Sequence, residues 1–377
     1  LAEPSWHSAV RGALYGCVPA RTLRGMIPPT LSDSGTLPRR RPAPRSALAS
    51  VAATLPPSVR TSEEIEQRLR DENPGLRIRR GTLITRTGIR ERRVVAPGVQ
   101  CSDLAVSAAR EALAKANRSV DDVDLLIFAA ASQDLIEPAT AHIVQHKLGT
   151  RASVFDVKNA CNSFVNGLQL ADLLVTSGSA RCALVVTGEI CSNAVRWKLR
   201  DADDFREHFP SYTMGDAGAA ALVVPSEDNR GIRHVALAAQ SEHWPLAMIR
   251  SGGSMFPRGD EFTYLSGDGP SLKNAFVSDG PPMLRRLLAE AGADFADFDR
   301  IFVHQVGVPY HREMLAASGI PEDRVDLHVV RYGNMAAASL PVAHALAVQE
   351  GRITAGDRVL WLGMASGISV GIAIIDV

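Results

Sequence analysis

Cys161, His304 and Asn334 are three side chains whose types suit a single chemistry. A thiolate attacks the carbonyl carbon of an acyl thioester, while an imidazole and an amide donate hydrogen bonds to a carbonyl oxygen on which negative charge develops. Cys161 lies in Phe155-Asp-Val-Lys-Asn-Ala-Cys161-Asn-Ser-Phe-Val-Asn-Gly-Leu, where a short β-prone run ends at Lys158 and Phe164, Val165, Leu168 and Leu173 then recur at helical spacing. The thiol therefore sits where a strand hands over to a buried helix. Free N–H groups and the positive end of the helix dipole favour an anion there, so the thiol is expected to ionise readily. Each residue also has a plainer reading: Cys161 as a small buried hydrophobe, His304 as a satisfied core histidine, Asn334 as a turn residue after Gly333. A fourth stretch, Gly363-Met-Ala-Ser-Gly367-Ile-Ser-Val-Gly371, could bring backbone N–H groups close to an acyl oxygen or form a plain hairpin. Their order and spacing favour the chemical reading.

The elements that must position these groups are legible from pattern. A chain of 377 residues has ample material for two domains or one large duplicated one. Lys+Arg and Asp+Glu both number 41, so no net field draws the protein to nucleic acid or an anionic membrane. Five scattered cysteines without metal-type pairs argue against a disulfide framework or a zinc site, and for a reducing, cytoplasmic setting. No apolar run reaches the length of a membrane span. Residues 1–45, rich in Pro, Ser and Arg with Arg39-Arg40-Arg41, read as a flexible basic tail.

From Ser46 onward strands and helices alternate, which implies α/β layers. Strands are expected at 47–55, 124–129, 152–157, 182–187, 219–224 and 358–362, with helices at 103–117 and 139–148 and a capping box at Thr61-Ser-Glu-Glu64. The second half repeats the first. Arg110 to Asp124 lies over Arg285 to Asp299 without a gap, with Arg, Leu, Ala, Ala, Asp and Asp coinciding, and Cys161 to Gly178 corresponds in spacing to Asn334 to Gly351. Residues 46–225 and 226–377 are thus two related halves, the first carrying the cysteine and the second the histidine and asparagine. All three polar residues are expected at related strand ends, where α/β folds place ligands.

With these residues assembled, the chain resembles the thiolase superfamily, in particular ketoacyl-ACP synthase III. The resemblance rests on Asn-Ala-Cys161-Asn-Ser-Phe, Val-His304-Gln-Val, Arg-Tyr-Gly-Asn334-Met-Ala-Ala-Ala-Ser, Thr-Arg86-Thr-Gly-Ile-Arg-Glu-Arg and Met214-Gly-Asp-Ala-Gly, and spans about residues 46–377. It implies a duplicated five-layered α-β-α-β-α fold, a homodimer or related heterodimer, no permanently bound cofactor and no metal. It also implies a Cys161-His304-Asn334 site at the bottom of a tunnel for a pantetheine arm, with Arg86 and Gly367 along that arm. The oxyanion N–H groups would be those of Cys161 and Ser366.

Leu135-Ile-Glu137-Pro-Ala-Thr-Ala and Leu362-Gly-Met-Ala-Ser-Gly367 look closer to the enzyme that joins two acyl-CoAs head to head in bacterial olefin synthesis, and to its β-lactone-forming relatives. In that group the glutamate of this motif reaches across the dimer as a base, which here implicates Glu137. A malonyl donor forms its carbanion by losing CO2, whereas an ordinary acyl thioester must lose a weakly acidic α-proton. By residue type alone, Glu137 is a solvated loop carboxylate. The expected reaction is a Claisen condensation without decarboxylation, giving a β-keto product. Its rivals are decarboxylative condensation with a malonyl thioester, acyl transfer to an alcohol or amine, a non-catalytic partner role lending Glu137 to a paralogue, and a papain-like hydrolase. The position four before Arg86, where the family has a tryptophan that stacks on the CoA adenine, is Thr82, which leaves CoA and an acyl carrier protein both open as carriers. Segment 195–212, with Trp197, Phe205, His208 and Phe209, reads as a tunnel wall or lid, or as a surface excursion.

Overall fold

The computed structural model describes residues 45–377 apart from Asn229. The expected tail lies outside the described residues except for Arg45.

Two sheets carry the fold. The first is ordered Ser46–Thr54, Ala217–Pro225, Ala183–Glu189, Leu125–Ala129, Ser153–Val157; the second Ile232–Ala239, Ser369–Asp376, Arg358–Ala365, Arg300–Val303. Matched strand for strand, the second sheet is the first without its last member. A single parallel bridge, Ile301 to Val325, stands where the fifth strand would be. Side-chain alternation along the strands sets the layers. Leu125, Ile127 and Ala129 point to a central core shared with helix Ser163–Thr176, helix Ser339–Gln349 and the inner residues Phe302, Val359 and Trp361 of the second sheet. Leu126 and Phe128 point the other way, onto helices Cys101–Lys115 and Thr140–Leu148. Helices Gly269–Ala291 and Val308–Ser318 cover the outer face of the second sheet. The result is α-β-α-β-α, the five-layered duplicated fold the sequence resemblance implied.

The repeat extends to the helix ends. Asn117 and Gly292, 175 residues apart, both take positive φ just past their helices, at 50° and 62°. Ser119 with Asp122 and Asp294 with Asp297 then form matching capping boxes on short 3-10 turns. The capping box at Thr61 and Glu64 is present, opening helix Ser62–Glu72.

Two expectations need correction. Leu173 was placed on the buried face of its helix but is 57% exposed; Ala171 and Val175, on either side of it, are buried instead. The helix bearing Asn334 was expected to follow a strand, as that of Cys161 does, but the preceding residues Val329–Tyr332 form a single helical turn. Backbone N–H groups of His328 and Val329 are taken by the Gln305 side chain rather than by a sheet neighbour, which removes the strand. Segment 195–212 forms helix Ala202–His208 and runs into the 3-10 turn Phe209–Thr213, and its Phe205, Phe209 and Tyr212 pack with Ile65, Leu69, Ile78 and Leu83. No helix among the described residues is long and apolar enough to cross a membrane.

Candidate active site

Cys161 sits in a sharp elbow between strand Ser153–Val157 and helix Ser163–Thr176. Ala160, just before it, has φ 46°, a left-handed conformation that costs a non-glycine residue about 1–2 kcal/mol. The turn is held because Asn159 N–H donates to Ser163 Oγ at 2.8 Å and Ser163 Oγ donates to the Ala160 carbonyl at 2.7 Å. Asn162 is wholly buried, its Nδ2 donating to Ser369 Oγ at 2.9 Å, which ties the elbow to the second sheet.

The electrostatics reverse the expectation of a ready thiolate. Cys161 is partly exposed as a residue, but its sulfur is enclosed, and burial together with the Glu189 carboxyl pushes the thiol up to about 12. Loss of solvation outweighs the helix end, because the helix begins only at Ser163 and the thiol lies outside its first turn. Glu189 ends a central strand and is fully buried. Its carboxyl accepts from the N–H groups of Ala131 at 2.7 Å, Ser132 at 2.9 Å and Ala337 at 3.3 Å, joining both halves beneath the site. Burial raises its own pKa and that of neighbouring Cys191.

His304 caps strand Arg300–Val303, its N–H donating to the Leu362 carbonyl at 2.9 Å. Burial and His311 hold the imidazole down at about 4, so it is neutral at physiological pH. Both ring nitrogens are buried with no hydrogen-bond partner, and a buried polar group in that state calls for a ligand or water. Asn334 is pinned by its backbone to Thr213 and Gly215, and its Oδ1 accepts from Ala336 N–H at 3.0 Å, which leaves Nδ2 as its remaining donor. The site thus has two neutral donor groups free for an oxygen.

The remaining expected residues are placed as follows. Ser366 and Gly367 form the partly exposed turn between strands Arg358–Ala365 and Ser369–Asp376. Gly363, read as allowing backbone approach to a ligand, is instead inside the first of these strands. A Cβ there would lie 2.0 Å from Asn162 Oδ1. Arg86 is exposed in the last turn of helix Thr82–Thr87, its guanidinium over the Phe209 ring at 5.4 Å. Gly88, at the end of that helix, abuts Val308, four residues beyond His304. Glu137 is exposed in a loop with Leu135 and Ile136, 50% and 66% exposed.

Sequence reading missed Glu189, Asn162, Tyr310 and His328. The Tyr310 hydroxyl is buried without a partner and is pushed up by burial, then by the Cys161 charge. His328 is buried with both ring nitrogens unpartnered and is held down by burial, then by His304 and His311. Their only sequence signal was proximity to named motifs: Asn162 follows the cysteine and Tyr310 lies six residues past the histidine. Asp204, Glu207 and His208 form a group of potential metal ligands, but Arg196 and Arg200 hold Asp204 and Arg250 holds Glu207.

This duplicated five-layer fold is that of the thiolase-superfamily condensing enzymes, which transfer and join acyl groups. The sequence matches the 3-oxoacyl-[acyl-carrier-protein (ACP)] synthase III family over residues 155–241 and the C-terminal part of the same synthase over 288–377. It is 32% identical to β-ketoacyl-[acyl-carrier-protein] synthase III of Symbiobacterium thermophilum, covering 85% of this chain and 94% of that one. It is also 32% identical to the synthase of Caulobacter vibrioides, covering 88% and 99%. Xanthomonas campestris OleA, solved as a cysteine variant with lauric acid and lauroyl-CoA, superimposes with a TM-score of 0.80 at 29% identity, covering 88% of this chain and 99% of that one. The cerulenin-bound form of OleA has the same TM-score at 28% identity, covering 88% and 97%. The chain belongs to the ketoacyl-ACP synthase III family: it is an acyltransferase of the ketosynthase type.

Proposed function

We propose that this chain condenses two acyl thioesters without decarboxylation, using Cys161, His304, Asn334 and a Glu137 supplied by a second copy. The observation that carries the reading is the neutral imidazole of His304, whose two ring nitrogens are buried without a partner, together with Asn334, whose Oδ1 is engaged by Ala336 so that its Nδ2 remains to donate. In the first step the Cys161 sulfur displaces the carrier thiol from an acyl thioester. The new bond is the Cys161 thioester, and the thiol proton ends on the released carrier. Because that proton is tightly held in the free enzyme, transfer and attack are coupled rather than preceded by a standing thiolate. The backbone N–H groups of Cys161 and Ser366 serve the acyl oxygen.

In the second step Glu137 removes the α-proton of another acyl thioester. His304 and Asn334 donate to the enolate oxygen, the carbanion attacks the Cys161 thioester, and a β-keto thioester leaves with the Cys161 thiol restored. A neutral imidazole is the right donor here, since an imidazolium would protonate the enolate. The exposed Leu135-Ile136-Glu137 loop and the unpaired outer side of edge strand Ser153–Val157 support a homodimer in which this loop enters the other subunit. Bound lauroyl-CoA in OleA supports a thioester of a plain fatty acid as substrate, with a pantetheine arm passing Arg86 and Gly367 and no resident cofactor. Free cysteines at 101, 161, 182 and 191 fit the cytoplasm.

The test supplies a plain acyl-CoA series with no malonyl donor and follows protein mass and products. An acyl adduct on Cys161 with a β-keto product is expected. Loss of either donor, His304→Ala or Asn334→Ala, is expected to slow condensation about 100-fold while the adduct still forms. Glu137→Ala is expected to stop condensation at the adduct. Undiminished product in that variant would assign the α-proton to another base, and a wild-type adduct that gives product only once a malonyl thioester is added would give the reaction to the decarboxylative reading.

A further inference from the structure

Glu189 carries a carboxyl with no exposure to water, set at the end of the central strand Ala183–Glu189. Burying such a group is costly unless its oxygens are bonded, and here three backbone N–H groups bond them. Two of the donors, Ala131 at 2.7 Å and Ser132 at 2.9 Å, form the root of the irregular loop between strand Leu125–Ala129 and helix Thr140–Leu148, in which Glu137 lies. These bonds are shorter than those of Asp134 further along the loop, whose Oδ1 accepts from Ser102 N–H at 3.2 Å and whose N–H donates to Thr140 Oγ1 at 3.2 Å. The third donor, Ala337 at 3.3 Å, belongs to the 3-10 turn Ala336–Ala338 that follows Asn334 and Met335. In that turn Ala336 has φ 46°, a left-handed conformation that persists in a non-glycine residue only where its surroundings over-determine it. Its constraints are Asn334 Oδ1, which accepts from Ala336 N–H at 3.0 Å, and Glu189, which accepts from the next N–H along. A shift of Ala337 is therefore passed to the Asn334 side chain through one peptide unit.

We infer that Glu189 is a positioning residue for the condensation step, holding Asn334 in its own site and, through the loop it roots, aiming the Glu137 that each chain sends to its partner. The inference rests on the two-copy reading above and deepens it. One carboxyl then sets the enolate donor of one site and the base of the other, so its loss acts on a site whose own residues are all intact. The isosteric amide is the discriminating change. In Glu189→Gln one oxygen remains for three donors, and the new NH2 group meets an N–H from which it cannot accept.

The experiment uses hybrid dimers, isolated after co-expression of two differently tagged copies. In the reference hybrid one chain is wild type and its partner carries Cys161→Ala, leaving one working thiol. Adding Glu189→Gln to that partner chain leaves the thiol, His304 and Asn334 of the working site unaltered. With octanoyl-CoA as sole substrate, the Cys161 adduct is expected to form within about twofold of the reference rate, while its conversion to β-keto product slows about tenfold or more. Glu189→Gln on the wild-type chain instead is expected to slow conversion to a similar extent, through Asn334. Conversion at the reference rate in the first of these hybrids overturns the inference when Glu137→Ala on the same partner chain stops conversion. If that Glu137→Ala hybrid also converts at the reference rate, the base assigned above is what fails, and hydrogen exchange then decides Glu189 alone. In substrate-free Glu189→Gln, peptides covering 131–141 and 334–340 should exchange faster than in wild type, while helix Gly269–Ala291 keeps its protection and so certifies the fold. Unchanged exchange in both peptides overturns the inference whatever the chemistry.

Discussion

At the residue scale the proposed site holds its thiol and imidazole in their neutral forms. A thiol near 12 and an imidazole near 4 are far apart, so no thiolate–imidazolium pair forms at rest. This differs from cysteine hydrolases, in which the histidine ionises the thiol, and it suits an enzyme whose nucleophile must wait for a thioester. Iodoacetamide labelling of Cys161 in the free enzyme is therefore expected to keep rising with pH through 9.0, the ordinary thiol value. A plateau near neutrality, read by mass spectrometry, would show an ionised thiol and sink this account. Glu189 contributes to the suppression through its proximity to the sulfur, and its three backbone donors explain why a carboxyl is tolerated there at all.

At the scale of elements, the proposed nucleophile Cys161 is held in an elbow whose geometry depends on a strand in the other half. Asn162 carries the load between them, bonded to Ser369 and packed where Gly363 has no side chain. Gly363→Ala puts a methyl group 2.0 Å from Asn162 Oδ1, closer than real contacts allow. Strain of this kind costs about 1–3 kcal/mol, and displacement of the elbow by even 1 Å is expected to lower the acylation rate by roughly 100-fold. Denaturant titration and acylation kinetics on the same variant check both. A variant that unfolds earlier yet acylates normally would mean that Asn162 does not orient Cys161.

At the scale of the whole molecule, two sheets press two central helices into one core, and that core holds ionisable groups away from water. His344 lies in it, accepting a hydrogen bond from Trp361 Nε1 at 3.2 Å, and burial lowers it to about 4. Below 6.5, the ordinary histidine value, the unfolded chain binds a proton here that the folded chain refuses until about pH 4. This contribution to stability is thus complete above 6.5 and lost as the pH falls through that window, by about 3 kcal/mol at its lower end. His344→Gln removes the titration, so the stability gap between wild type and variant should narrow from pH 6.5 to 4 in parallel urea melts. A gap that stays constant would show that His344 does not titrate on unfolding.

The alternation of strands and helices, the internal repeat and the polar residues at its matched positions were all present in the one-dimensional pattern, because side-chain periodicity and turn chemistry are local properties. That is why the layers and the family could be read from the sequence, and why Cys161, His304 and Asn334 stood out there as candidates. Even the αL positions after the repeated helices, Asn117 and Gly292, lay in register. What the pattern could not carry was the environment of each group. The helix end near Cys161 suggested an ionised thiol, and only the enclosure of the sulfur beside Glu189 decided otherwise, since desolvation depends on atoms brought from distant parts of the chain. Leu173 fitted the apolar spacing but faces outward, and Gly363 proved to make room for Asn162, 201 positions earlier in the chain. Glu189 was visible as a letter at the end of an apolar run. Its bonds to Ala131 and Ala337, 58 positions back and 148 forward, were decided by tertiary packing alone, because hydrogen bonding is a matter of distances that no spacing along the chain encodes.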